Sequence, residues 1–261
     1  MLNFFKRKHK GNGIVALDIG AEMVKAALFT VEEKQNQNGE VIGKRAILKA
    51  LSEVPQENAE SRGGTITDIG SVIENCKLAI KLASKQAGFV PSQLVIGVAG
   101  ESVKGATSVL SFEREDPKAK INLSELHNII HKLEWRAFGE VRKKISEELG
   151  YPEIDIKLMN SAIVDIKIDS YKVTNPLGFQ GKTVEMALFN AFAPLDYSSA
   201  LQNIADQLEL ELLGIVSEAY ALSHCISTED PHLSALLIAV GGSTTDLAVM
   251  SHGTLRGTKM F

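Results

Sequence analysis

Two short glycine loops, each closing one apolar strand and opening another, constrain this chain more than any other feature. The first is Ile14-Val15-Ala16-Leu17-Asp18-Ile19-Gly20, followed by an apolar stretch from Met23 to Val31. The second is Leu236-Leu237-Ile238-Ala239-Val240-Gly241-Gly242-Ser243-Thr244-Thr245-Asp246, followed by Leu247 to Met250. Short continuous apolar runs read as buried strands, and glycine supplies the tight turn between them. Each segment is therefore a β-hairpin whose tip offers backbone N–H groups in a concave nest suited to an oxyanion. Asp18 ends its strand beside the first tip. A carboxylate there suits Mg²⁺, which takes one or two carboxylates with phosphate oxygens. A single glycine turn is most often only a turn; two, each with flanking strands, and a helical segment at 217–226 before the second, point to a phosphate site.

Between the loops the chain alternates strands and helices. Residues 13–50 read as a three-strand meander, with Asn38-Gly39 as a turn signal between the last two strands. Residues 52–67 read as a polar loop. Ser71-x-x-Glu74 is a capping-box pattern, and Val72, Ile73, Cys76, Ile80, Ala83 and Ala87 follow at helical spacing until Pro91. Leu94–Ala99 is a strand, and residues 100–122 alternate loosely and then turn polar. Ser124 is placed to cap a long amphipathic helix stopped by Gly150-Tyr151-Pro152. Ala162–Ile168 alternates at period two, Asn175-Pro176-Leu177-Gly178 makes a turn, and Thr183–Ala193 is a strand. The order strand, helix, strand, strand over 94–192 reads as an inserted subdomain. Helices follow at 196–209 and 217–226.

Composition excludes several classes. Hydrophobic residues make up 44% and the net charge is −4, ordinary for a globular protein and without the basic excess of a nucleic-acid binder. No apolar run approaches the roughly 18 residues that span a bilayer, and no secretory signal opens the chain. Cys76 and Cys225 lack metal spacing and read as reduced buried thiols, so the expected compartment is cytoplasmic. His127 and His131 stand at i, i+4 without a third ligand and read as a helix-face pair. Trp135 reads as a packing residue or a contact surface.

The chain resembles the FtsA family of bacterial cell-division proteins, actin-like ATPases that link the FtsZ ring to the membrane. Val15–Gly20 is similar to the family's first phosphate motif, and Gly241–Asp246 to the second. Ser61-Arg62-Gly63-Gly64-Thr65-Ile66-Thr67-Asp68 resembles its Arg-Gly segment, and Asn175–Gly181 its Asn-Pro-x-Gly-x-x-Gly hairpin. Ser217-Glu218-Ala219-Tyr220-Ala221 resembles the helix connecting the lobes. The insert is shared with PilM, the actin-like protein of type IV pili. The resemblance implies an α/β fold: an actin-like lobe of the ribonuclease-H type, an inserted strand-helix-strand-strand (SHS2-type) subdomain, and the start of a second lobe. The parts are 1–12, a tail; 13–92 and 193–233, lobe I; 93–192, the insert; and 234–261, the opening of lobe II, so the chain reads as a fragment. The implied ligands are ATP and Mg²⁺. Asp18, Gly20, Ala21, Gly241, Gly242, Ser243 and Thr244 hold the nucleotide, and Asp18 holds the metal. Glu218 either orients the attacking water or is a carboxylate favoured by the helix dipole. The implied partners are FtsZ and other division proteins, further copies in a filament, and the membrane. No nucleic acid is implied.

The chain departs from the family pattern at three places. Ala21 and Glu22 replace small hydroxylated residues, and Glu22 brings negative charge near the phosphates. Ala239 replaces an Asp, and Ser243 a Gly. Backbone N–H groups carry much of phosphate binding, whereas metal placement stabilises the transition state, so hydrolysis should suffer more than binding. The expected activity is weak or absent. At the N-terminus Leu2, Phe4 and Phe5 precede Lys6, Arg7 and Lys8, a pattern for peripheral contact with the cytoplasmic side of an anionic membrane.

Overall fold

The computed structural model describes residues 13–35, 41–56, 61–62, 65–98, 103–149, 156–230 and 232–260. In chain order the elements are β1 (Gly13–Ile19), β2 (Met23–Gln35), β3 (Val41–Pro55), β4 (Ser61–Arg62), β5 (Thr65–Ile66), α1 (Ile69–Ala87) and β6 (Gln93–Val98). Next come β7 (Lys104–Glu113), α2 (Leu123–Leu149), β8 (Ile156–Ile168), β9 (Tyr171–Lys172), β10 (Thr183–Pro194) and α3 (Leu195–Gln207). Last are β11 (Glu211–Ser217), α4 (Glu218–Glu229), β12 (Ala235–Val240), β13 (Thr245–Ser251) and β14 (Thr254–Met260). The described residues of Met1–Ser102, with Asp196–Val216 and Val240–Thr244, form one compact unit. Those of Val103–Leu195, Ser217–Ala239 and Thr245–Phe261 form a second.

The first unit is built on a five-stranded sheet of order β11-β6-β1-β2-β3. β1, β2 and β3 form the antiparallel meander that the turn signals predict, and β6 returns through α1 to lie parallel to β1. A parallel neighbour requires such a crossover. α1 presents Val72, Ile73, Cys76, Ala79 and Ala83 inward, and Val15, Leu17, Val24, Ala26, Leu28, Leu94 and Ile96 are buried along the strands. Each such branched side chain contributes roughly 1.5–3 kcal/mol when fully buried. Burial also pushes the Cys76 thiol up to about 12.

Four local features differ from the sequence expectation. The cap of α1 is Asp68, not Ser71: its carboxylate accepts from the Ser71 N–H at 3.1 Å and from the Ser71 hydroxyl at 2.8 Å. Gly88, at φ +78, ends the helix three residues before Pro91. The polar loop at 52–67 contains the end of β3 and the small β4–β5 hairpin, because main-chain pairing of Ser61 with Ile66 needs no apolar pattern. β11, which follows α3, lies at the sheet edge beside β6 where no strand was read.

The second unit is built on a seven-stranded sheet of order β12-β13-β14-β7-β10-β8-β9. Since β6 belongs to the first sheet, β7 supplies the first strand of the strand-helix-strand-strand order, with α2, β8 and β10. α2 is capped by Asn122, whose side chain accepts from Glu125 N at 2.9 Å, and not by Ser124. Its Leu126, Ile129 and Leu133 pack on Val184, Met186 and Leu188 of β10. Arg114 lies in the segment that reads as polar, yet its side chain is fully buried. It makes a bidentate pair with Glu125 at 2.7 and 2.9 Å and donates to the carbonyls of Gly181 and Ala119. The Asn175–Gly181 turn is tied to the preceding loop through Ile121 and Pro117. β12 is an edge strand: Leu236, Ile238 and Val240 are exposed, and only the opposite row, through Leu237, packs inward. The apolar run that reads as a buried strand is thus covered on one face only. Among the described residues no helix is long and apolar enough to cross a membrane.

Candidate phosphate-binding loops

The first glycine turn joins β1 to β2. Gly20 N donates to Met23 O at 3.0 Å, and a Cβ at Gly20 would lie 3.1 Å from that carbonyl, so any larger residue would press on the turn. Asp18 stands at the end of β1, half-exposed. In the β1–β2 register it faces Lys25, whose ammonium lies 3.6 Å from its carboxylate. An ion pair this exposed contributes little to stability and leaves the carboxylate exchangeable. The turn rests on Gln56, a buried residue that sequence reading placed in a loop. Its N–H donates to Glu22 O at 2.7 Å and its side-chain amide donates to Gly20 O. Asn75 of α1 donates to the Gln56 amide oxygen at 3.5 Å. No local pattern marks Gln56, because its role exists only once β3 has paired with β2.

The second turn joins β12 to β13. Gly241 N donates to Thr244 O at 2.8 Å. Gly241, Gly242 and Ser243 are exposed, Thr244 partly so. Val240–Thr244 is grouped with the first unit, and there the two loops meet: a Cβ added at Gly242 would lie 2.5 Å from Glu22 Cγ and 2.8 Å from Glu22 Oε1. Glu22, the departure in the first loop, thus lies against the second. Ala239 sits at the half-buried position where the family pattern has a carboxylate. Asp246, two residues past the loop, was not singled out as a site residue; burial pushes its carboxyl above the ordinary range.

The two turn-closing bonds take the N–H groups of Gly20 and Gly241; those of Ala21, Glu22, Gly242 and Ser243 take no part in them. The residues therefore fit a phosphate-bearing ligand through main-chain donors, with Asp18 as an oxygen donor for Mg²⁺ and Glu22 as an opposing charge. Among the described residues no group of three or more His, Cys, Asp or Glu converges as a multidentate metal site. Mg²⁺ bound with phosphate does not require one.

Glu218 is the first residue of α4, in the second unit. Ser217 caps that helix, accepting from Tyr220 N at 3.3 Å. This is the position at which a carboxylate is favoured by the helix dipole. His127 and His131 are exposed on α2. Trp135 is 78% exposed and stacks on Phe138. Cys225 is exposed rather than buried, because it lies off the packed face of α4. Leu2, Phe4, Phe5, Lys6, Arg7 and Lys8 lie outside the described residues, as do Asn38-Gly39, Gly63-Gly64 and Gly150-Tyr151-Pro152.

No protein-family model matches the chain. Cell division protein FtsA of Pseudomonas aeruginosa is 24% identical over 253 residues, covering 95% of this chain and 54% of that protein. FtsA of Neisseria meningitidis is 23% identical over 252 residues, with the same coverage, 95% and 54%. The chain resembles FtsA. It spans about half the length of the curated FtsA proteins it matches. Among solved structures, the PilM–PilN type IV pilus biogenesis complex aligns with a TM-score of 0.56 at 15% identity, covering 97% of this chain and 62% of that one. That likeness concerns the fold, which is α/β and actin-like.

Proposed function

We propose that this chain acts as an FtsA-like cell-division protein of the divisome. It binds ATP with Mg²⁺, polymerises as an actin homologue and tethers the FtsZ ring to the inner face of the cytoplasmic membrane. The observation that carries the reading is the meeting of the two glycine turns in one unit through Glu22 and Gly242. The similarity to FtsA over nearly the whole chain supports the division role. Gly20, Ala21, Gly241, Gly242, Ser243 and Thr244 hold the phosphates, and Asp18, released from Lys25, faces the metal. Glu218 orients water if the lobes close around nucleotide, and otherwise only complements the dipole of α4. When bound, ATP with Mg²⁺ would supply the phosphate oxygens that the main-chain N–H groups of the two turns receive and that, with Asp18, hold the metal. With Ala239 in place of a carboxylate, nucleotide acts as an assembly ligand more than as a fuel. The insert carries division-protein and filament contacts, and the basic-aromatic tail carries weak membrane contact that oligomerisation strengthens.

One observation favours a second reading. Glu22 against Gly242 opposes phosphate charge, which suits a PilM-like adaptor of a type IV pilus or membrane assembly complex that does not hydrolyse nucleotide. Co-sedimentation with FtsZ filaments in the presence of Mg²⁺-ATP separates the two. The FtsA-like reading expects nucleotide-dependent pelleting; ATP-independent behaviour with no FtsZ in the pellet rejects it. Loss of vesicle binding on deleting residues 1–12 tests the tail. Equal pelleting with anionic vesicles rejects its membrane role.

A further inference from the structure

The second unit contains a groove of about 280 Å³ that collects basic groups from three elements distant in sequence. Lys172 comes from β9, His224 from α4 and His252 from the β13–β14 turn, and no carboxylate is among the residues lining it. Each group is held in place. His252 and Gly253 both have positive φ, +50 and +69, forming a two-residue turn that Asn, Asp or Gly ordinarily occupies. A histidine there costs backbone strain, and strain of this kind concentrates at functional positions. The turn is pinned by His252 N donating to Ser234 Oγ at 3.0 Å and by Gly253 N donating to Leu233 O at 2.8 Å. The His224 ring stacks on Tyr220 at 5.8 Å, and Tyr220 stacks on the fully buried Phe189 at 5.6 Å. The Lys172 ammonium is positioned 3.2 Å from Asp165 Oδ1, within ion-pair reach but outside hydrogen-bond geometry.

One ammonium and two imidazoles line a common space, and each has an N–H that can donate to an anion placed between them. The groove is larger than an inorganic ion requires: 280 Å³ corresponds to about nine waters at about 30 Å³ each. Ile163, Val164 and Leu255 give it an apolar side next to the basic one. We propose that the groove binds a small phosphomonoester. Its dianionic head lies among Lys172, His224 and His252, and its organic group lies along Tyr220 and Leu255. The site shares no residue with the glycine loops and does not depend on the reading given to them.

The test uses the full chain with phenyl phosphate as the probe, followed through the histidine ring signals by NMR. Saturable movement of the His224 and His252 signals is expected. Lys172→Gln and His252→Asn should each weaken binding about tenfold, as charge-assisted hydrogen bonds are lost. Asparagine accepts the left-handed turn, so His252→Asn keeps the hairpin. Benzoate, with the same ring and a single charge, should bind at least about tenfold more weakly. ATP affinity of Lys172→Gln should equal that of the wild type, which separates this site from the loops. Stationary ring signals at millimolar phenyl phosphate, wild-type affinity in both variants, or equal binding of benzoate would overturn the assignment.

Discussion

Replacing Glu22 by glutamine or serine should tighten the binding of ATP. Glu22 Oε1 lies 2.8 Å from the position a Cβ would take on Gly242, so a phosphate received by the N–H of Gly242 or Ser243 sits close to that carboxylate. At about 5 Å, two unit charges repel by about 0.8 kcal/mol in water and by about 3 kcal/mol at an effective dielectric of about 20. Glu22, Gly242 and Ser243 are all exposed, so the lower part of that range applies. A gain of about 1–2 kcal/mol corresponds to about 5–30-fold in Kd. The assay is a titration with a fluorescent ATP analogue and Mg²⁺ at low and high salt. Because the effect is Coulombic, the gain should shrink as salt rises. Glutamine preserves the side chain's size, so Glu22→Gln should match Glu22→Ser if charge is responsible. Wild-type affinity of Glu22→Gln at low salt would refute the reasoning: either the nucleotide does not reach Gly242, or Glu22 swings clear at no cost. Stability should stay within about 0.5 kcal/mol of wild type, since the residue is on the surface.

Further outcomes follow from other parts of the molecule. Ala239→Asp should raise ATP turnover, measured as phosphate release; no change would show that this strand position does not face the nucleotide. Glu125→Ala should destabilise the second unit by about 3 kcal/mol in a urea melt, because it leaves the buried Arg114 guanidinium half-paired, and Arg114→Met with Glu125→Leu should recover most of that loss. Hydrogen bonds from Ser71 to Asp68, and from Thr183 and Lys182 to Asp169, hold both carboxyls below their ordinary range. Their stabilisation is therefore full above the unfolded carboxylate value near about 4 and is lost as pH falls through the lower folded values. The double variant Asp68→Asn, Asp169→Asn should flatten the acid limb of a stability–pH profile. Gly105→Ala should lower the melting temperature, since a Cβ there would lie 2.7 Å from the ring of the fully buried Phe189.

Much of the fold is legible in the sequence. The β1–β2 and β12–β13 hairpins and the helices α1, α2 and α3 follow from local periodicity and glycine placement, which act over a few residues. Of the elements that go unread, β4 and β5 pair through main chain alone and carry no apolar pattern, whereas β11 carries the apolar residues Leu212, Leu213, Ile215 and Val216, interrupted by Gly214. Both helix caps were placed too late, at Ser71 and Ser124, because Asp68 and Asn122 offer equivalent oxygens a few residues earlier and the chain entering the helix decides between them. Within the candidate site the glycines could be read, but Gln56 could not.

The amino-acid sequence by itself determined that two strand-turn-strand units exist and that each turn is built on glycine. These are properties of short segments, set by backbone freedom and apolar pattern. The tertiary structure alone decided which surfaces those segments meet. It buried Arg114 against Glu125, left Leu236, Ile238 and Val240 of β12 exposed, and set Glu22 of the first loop against Gly242 of the second. The meeting of Glu22 with Gly242 joins residues far apart in the chain, and its energy appears only when the strands between them have taken their register.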